Sequence, residues 1–130
     1  MLELKNLWHL YSESRVLENI NALIEDETVV VILGPNGVGK STLLKIISGL
    51  IKPATGQVLI RDHDLAALNA KSKAKWVSLL FQNASLDNDL TVSEYILLGR
   101  LPYHSIWQAF SKDDWHKLEA LLETLNLTKL

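Results

Sequence analysis

The sequence predicts an α/β fold, and two short apolar runs with helical segments between them support that prediction. The runs lie at residues 29–33 and 76–81. Their length and continuous hydrophobicity are typical of strands that are buried on both faces of a sheet. Because strand, helix and strand recur along this part of the chain, the pattern favours a parallel sheet.

Before the first run, the sequence predicts two antiparallel strands joined by a turn. Apolar residues alternate with polar ones through residues 2–10, and residues 16–20 indicate a second strand. The polar stretch 12–14 between them is typical of a turn. Three further elements are expected after the first run: a helix from about Lys40 to Gly49, a strand at 56–60, and a short helix from Asn69 or Ala70 to Lys75.

Two capping-box patterns predict helices in the last third of the chain. Thr91 is followed three residues later by Glu94, and Gly99 is placed to end that helix. Ser111 and Asp114 repeat the pattern. The second helix is expected to present a core-facing stripe made of Trp115, Leu118, Leu121, Leu122 and Leu125.

The loop at 100–107 joins these two helices and is rich in aromatic residues. Two interpretations of it stay open, namely ordinary packing and a docking surface.

A phosphate-binding pattern lies between the first apolar run and its helix. Residues 34–42 fit G-x-x-x-x-G-K-[ST]. A glycine-rich turn lets backbone N–H groups approach phosphates closely, and the helix N-terminus adds positive partial charge. Lys40 is expected to reach the β- and γ-phosphates of a nucleoside triphosphate, Ser41 to bind Mg²⁺, and Thr42 to donate on the α-phosphate side. The expected binding residues are Gly34, Pro35, Asn36, Gly37, Val38, Gly39, Lys40, Ser41 and Thr42.

Composition excludes several other classes of protein. The 130 residues are 48% hydrophobic and 22% charged, which is ordinary for one globular domain. A net charge of −2 argues against a nucleic-acid partner, and the short cluster Lys71, Lys73 and Lys75 is expected to be a solvated face. There is no cysteine to form a disulfide or a thiolate metal site. No apolar stretch approaches the ~20 residues of a transmembrane helix.

Taken in order, these features resemble the ATP-binding subunits of ABC transporters from Leu2 to the last residue. That family has an aromatic residue that stacks on adenine at the position of Tyr11. It has a Q-loop glutamine, which contacts Mg²⁺ or the attacking water, at the position of Gln82. From the residues alone, Tyr11 could be a plain strand aromatic and Gln82 a polar strand end.

The resemblance implies a P-loop NTPase core with an antiparallel β subdomain at its N-terminus and the start of a helical subdomain at its C-terminus. The corresponding segments would be 1–28, 29–90 and 91–130 of an incomplete domain. No catalytic residue is assigned beyond the possible contact of Gln82 with Mg²⁺ or water.

Residues 97–103 and 111–114 are similar to the branch that serves importers of iron-siderophore, haem or cobalamin complexes, and importers of molybdate and other metals are a close alternative. A member of that branch would bind ATP and Mg²⁺ as an energy-coupling ATPase, peripheral at the cytoplasmic face of the plasma membrane. Its implied partners are transmembrane permease subunits, reached through the Q-loop and helical region, and a second nucleotide-binding subunit. A periplasmic or surface solute-binding protein would act with it indirectly.

The sequence departs from the family pattern in two ways. Glu27 and Asp62 stand where the family commonly has glycine, and Asp tolerates a left-handed turn better than Glu does. The family's signature motif, Walker B acidic pair and switch histidine also have no counterpart here. The acidic residues Asp87, Asp89 and Glu94 do not follow an apolar strand as an Asp-Glu pair would. The four histidines fit no switch or metal spacing and are expected to be exposed or half-buried: His9, His63, His104 and His116.

We therefore expect the N-terminal portion of a longer ATPase, able to bind Mg-ATP but not to hydrolyse it alone. Two alternatives remain at this point. One is another P-loop enzyme, such as a kinase or a GTPase, although the guanine-reading pattern N-K-x-D does not occur. The other is a truncated, non-catalytic nucleotide-binding protein.

Overall fold

A computed structural model describes residues 1–82, 90–105 and 107–127. The chain divides into two units, Met1–Leu79 and Leu80–Leu130. The acidic residues Asp87 and Asp89, and one position of the aromatic loop, lie outside the described residues.

The first unit contains a four-stranded antiparallel sheet. Its strands are β1 (Leu2–Tyr11), β2 (Ser14–Ile24), β3 (Thr55–Ile60) and β4 (His63–Asp64), in the spatial order β2-β1-β3-β4. The predicted hairpin is therefore confirmed, with Tyr11 opposite Ser14 across its turn. The parallel pairing expected around the third strand is wrong, because β3 pairs antiparallel with β1.

Asparagine side chains support irregular points in the first two strands. Asn6 and Asn19 both have a φ of 47°, and the β1–β2 register shifts between Leu4 and Leu7. The side chain of Asn21 accepts a hydrogen bond from the Asn6 amide at 2.8 Å and donates to the Asn19 carbonyl at 2.9 Å. Because asparagine tolerates positive φ and bonds to nearby backbone, it suits such bulges.

The same unit also contains two helices. Helix α1 (Lys40–Ile47) ends before Gly49, as predicted, and helix α2 (Ala70–Trp76) begins after Asn69, whose side chain accepts from the Ser72 amide. The buried core of the unit consists of Leu4, Leu7, Leu17, Ile46, Val58 and Leu65.

The two apolar runs do not form strands in the described part of the chain. Residues 29–33 lie in irregular structure, with Val29 94% and Leu33 86% exposed. In the second run, Trp76 ends helix α2 and residues 77–81 are irregular. Both strand predictions are therefore wrong for this structure. The physical reason is that a strand exists only by pairing, and an apolar run reports a tendency to be buried without supplying the partner.

The second unit contains helices α3 (Val92–Leu98) and α4 (Lys112–Thr124). Both predicted capping boxes are present with both of their hydrogen bonds. The expected apolar stripe of α4 is only partly confirmed. Leu118 is 5% exposed, whereas Trp115, Leu121 and Leu125 are 41–52% exposed.

A buried carboxylate ties the aromatic loop to the start of α4. Asp114 is 1% exposed, and its oxygens lie 2.6 Å from Arg100 Nε, 2.8 Å from His104 Nε2 and 2.5 Å from Ser111 Oγ. The Ser111 hydroxyl and then the Arg100 guanidinium hold the pKa of Asp114 well below its usual range, against the opposing effect of burial. His104 is thus buried, and the expectation that it is exposed or half-buried is wrong.

The packing interpretation of the loop is confirmed in part, and the docking interpretation stays a prediction. Arg100 and His104 pack inward on Asp114, and the Arg100 guanidinium lies 4.4 Å from the centre of the Tyr103 ring. Trp107, by contrast, is 95% exposed.

Candidate functional site

The phosphate-binding pattern forms a loop that leads directly into helix α1. The helix begins at Lys40, and no side chain caps its N-terminus. The first N–H groups of a helix have no partner within it, and together with the helix dipole they favour an anion. Gly37 and Gly39 have φ values of 81° and 102°, a backbone conformation that residues with a side chain rarely adopt. The local backbone therefore has the form that the pattern predicts for a phosphate cradle.

Lys40 folds back over its own loop. Its ammonium donates to the carbonyl oxygens of Gly34 and Pro35, both at 2.7 Å. The positive charge is therefore held at the loop by two backbone acceptors. Of the neighbouring hydroxyl residues, Ser41 is exposed, whereas Thr42 is 9% exposed.

Strand β2 packs directly against the loop at Gly39. A Cβ placed on Gly39 would lie 2.8 Å from the Val16 carbonyl oxygen, 2.9 Å from Val16 Cγ1 and 3.1 Å from Leu17 Cδ2. Only a residue without a side chain fits such a close approach. The contact fixes the loop against the hairpin, and sequence reasoning did not identify Val16 or Leu17 as part of the site.

Tyr11 lies at the end of β1 in the same unit, beside the hairpin turn. Its side chain is half exposed, as a stacking platform requires. The ring of His9 meets it edge to face, with ring centroids 4.9 Å apart and planes 84° apart. Because Tyr11 is opposite Ser14 on β2, the tyrosine and the loop-supporting Val16 belong to one hairpin. The alternation of the strand could have predicted that His9 lies beside Tyr11, since residues two apart in a strand share a face.

Gln82 is exposed and belongs to the second unit. Its predicted contact with Mg²⁺ or water stays a prediction. Within residues 1–82, 90–105 and 107–127, no group of three or more His, Cys, Asp or Glu side chains is arranged to hold a metal ion. The exposed Ser41 hydroxyl is an oxygen donor of the kind that Mg²⁺ prefers, so the residues present fit a magnesium ion that keeps most of its water.

Comparisons with known proteins identify the family of the chain. A family model described as ABC transporter matches residues 17–130. The chain belongs to the ABC transporter ATP-binding family. The family match decides against a P-loop kinase or GTPase, and the P-loop NTPase fold class is confirmed.

Curated ABC relatives are similar along most of this chain. The phosphonates import ATP-binding protein of Alcaligenes faecalis is 35% identical over 98% of the chain and 49% of its own length. The ferric enterobactin transport ATP-binding protein of Escherichia coli (strain K12) is 34% identical, over 92% of the chain and 44% of its own length. The chain thus spans about half the length of the curated relatives that it matches.

Solved ABC structures resemble it to a similar extent. An ATP-binding subunit of an ABC transporter superimposes with a TM-score of 0.80 at 28% identity, covering 98% of this chain and 51% of that one. A dimeric ATP-binding cassette in a post-hydrolysis state, bound to ADP and phosphate, also superimposes with a TM-score of 0.80 at 28% identity. The match covers 99% of this chain and 59% of that one. Of the helices in the described ranges, none has the length and hydrophobicity of a transmembrane segment.

Proposed function

We propose that this chain binds Mg-ATP as part of the energy-coupling ATPase subunit of an ABC importer. The observation that carries the proposal is the phosphate loop at 34–42, which runs into the uncapped N-terminus of α1 with Lys40 beside it. ATP, when bound and hydrolysed, supplies the free energy of transport in such a system. The side chains and loop amides of this chain would bind and orient the nucleotide.

Each binding residue has a separate task in this proposal. Lys40 exchanges its two carbonyl partners for phosphate oxygens, which are stronger acceptors because they are charged. The Ser41 hydroxyl supplies one ligand to Mg²⁺, and Gln82 supplies a further contact to the metal or to water. Tyr11 offers one ring face to adenine.

Equilibrium binding of ATP, with and without Mg²⁺, tests the proposal. A Lys40→Ala variant loses a charge-assisted contact worth about 1.5–3 kcal/mol, so its Kd should rise roughly 10- to 100-fold. Lys45→Ala removes an equal charge from the same helix, outside the phosphate-binding pattern, and should leave Kd unchanged. An equal effect of both variants would contradict specific phosphate binding by Lys40.

Iron-siderophore, haem or cobalamin complexes are the proposed cargo. Relatives named for ferric enterobactin, petrobactin and cobalamin import support this, although relatives named for phosphonate import are similar to the chain at comparable identity. Disrupting the coding gene should lower uptake of labelled iron-siderophore or cobalamin. If phosphonate uptake fell instead, the cargo proposal would be wrong.

The proposed assembly places two nucleotide-binding subunits on transmembrane permeases, peripheral at the cytoplasmic face of the plasma membrane. Contact with the permeases would involve Gln82 and the helical region, with a solute-binding protein acting indirectly. The division into segments 1–28, 29–90 and 91–130 remains part of this proposal. The 130 residues alone should bind ATP without releasing phosphate, because they contain no acidic pair after an apolar strand. Phosphate release above that of a Lys40→Ala variant would refute this.

A further inference from the structure

We infer that His9 is a positioning residue for nucleotide binding, acting through Tyr11. The inference rests on the proposed function, since it assumes that Tyr11 is the platform for adenine. It adds a residue whose task is to hold that platform at a fixed angle and at a fixed distance from the phosphate loop.

The contact between the two rings sets the angle. The centroids of His9 and Tyr11 are 4.9 Å apart and the planes are nearly perpendicular, at 84°. Edge-to-face pairs of this kind are favourable because the edge of one ring is electropositive and the face of the other is electronegative. Whichever ring supplies the edge, the contact with His9 covers at most one face of Tyr11. The half-exposed tyrosine ring is therefore held in place and can still stack on a base.

Hydrogen bonding within the described residues does not account for the position of His9. Both ring nitrogens of His9 are shielded from solvent, and within the described residues neither has a hydrogen-bond partner. Buried polar atoms without partners are rare and cost stability, so their presence calls for an explanation. Our explanation is that this position, beside a binding residue, requires an aromatic ring for packing.

Strand pairing sets the distance. His9 is opposite Leu17 in the β1–β2 register, so both side chains lie on the same face of the sheet. Leu17 in turn lies beside Gly39, where a Cβ would come within 3.1 Å of Leu17 Cδ2. The hairpin thus links the base platform to the phosphate loop: His9 contacts Tyr11 and is paired with Leu17, which lies beside Gly39.

Two substitutions separate positioning from simple folding. His9→Ala removes the ring, whereas His9→Phe keeps an aromatic ring and removes the two unpartnered nitrogens. The Kd for ATP should rise about 2- to 10-fold in His9→Ala, with the energy of one aromatic pair as the upper limit of the effect. It should stay at the wild-type value in His9→Phe. The Kd for inorganic tripolyphosphate, which has no base to stack, should change in neither variant.

NMR of the Tyr11 ring in the nucleotide-free protein supplies a readout that does not depend on ATP. His9→Ala should shift the Tyr11 ring resonances, because the ring current of the imidazole is lost, and His9→Phe should retain a perpendicular aromatic neighbour. Unchanged Tyr11 resonances in His9→Ala would overturn the inference. So would an equal loss of ATP and tripolyphosphate binding, which indicates a general folding defect.

A Tyr11→Ala control makes this failure distinguishable from failure of the proposed function. If Tyr11→Ala lowers ATP affinity and His9→Ala does not, only the inference about His9 is wrong. If Tyr11→Ala leaves ATP affinity intact, the adenine role of Tyr11 is wrong, and the positioning role of His9 falls with it.

Discussion

The contact between Gly39 and strand β2 leads to a quantitative prediction about the phosphate loop. In a Gly39→Ala variant the new methyl group would lie 2.8 Å from the Val16 carbonyl oxygen and 2.9 Å from Val16 Cγ1, at a φ of 102°. The left-handed conformation costs a non-glycine residue about 1–2 kcal/mol. Forcing an extra carbon into packed surroundings costs about 1–3 kcal/mol more. The free energy of unfolding should therefore fall by about 2–5 kcal/mol.

Gly37→Ala is a matched control in the same loop. Gly37 also has a positive φ, of 81°, but a Cβ there would meet no atom of the described residues within 4 Å. This variant should lose only the conformational part, about 1–2 kcal/mol. Urea unfolding followed by far-UV circular dichroism measures both variants, and the difference between them isolates the contact with β2.

A second substitution tests the side-chain share of that contact. Val16→Ala removes Cγ1 but leaves the carbonyl oxygen. Combined with Gly39→Ala, it should therefore recover only part of the stability that Gly39→Ala loses. If Gly39→Ala and Gly37→Ala were equally stable, the loop would not contact β2 as described. Full recovery in the double variant would show that the carbonyl contributes nothing.

Three further predictions concern other parts of the fold. The pKa of Asp114 is lower in the folded protein than in the unfolded chain, so the unfolded chain binds the proton first as the pH falls. The wild type should therefore lose stability below about pH 4. Asp114→Asn lacks this titrating group, so its stability should depend less on pH in that range. Thermal melts from about pH 7 to about pH 2.5 check this, and parallel profiles would contradict it. Glu27→Gly should raise the free energy of unfolding, measured in urea, by up to about 1 kcal/mol. Glu27 has a φ of 59°, and glycine relieves this left-handed strain by more than it adds in entropy to the unfolded chain. Ile46→Ala should cost about 2–5 kcal/mol in the same assay, and Leu50→Ala less than about 0.5, since Ile46 is 1% and Leu50 56% exposed.

The features that the sequence predicted correctly depend on residues close together in the chain. Thr91 with Glu94, and Ser111 with Asp114, form their capping boxes across one helical turn. Asn69 caps α2 in the same way. The positive φ at Asp62 and its neighbour in the β3–β4 turn is likewise a local requirement, which explains why glycine would suit that position.

The features that it missed depend on partners far away in sequence. Arg100 reaches Asp114 across fourteen positions, and no periodic pattern connects them. The apolar run at 29–33 predicts a buried strand, but these residues are irregular and mostly exposed, and β1 pairs with β2 and β3 instead. In the site, residues 34–42 were predicted because they are contiguous, whereas the support from Val16 and the contact from His9 exist only after the hairpin has formed.

The shortness of helix α1 explains why this support matters for nucleotide binding. The helix has eight residues, and isolated helices shorter than about 12–15 residues are marginal in water. Its position must therefore come from tertiary contacts, namely Ile46 in the core and Gly39 against β2. Because the loop amides and Lys40 are fixed to this helix, a change that removes the packing of β2 against Gly39, or of the core against Ile46, should weaken phosphate binding. The affinity for tripolyphosphate should thus fall in Leu17→Ala, because that side chain lies beside Gly39, while variants of equal cost in the second unit should leave it unchanged.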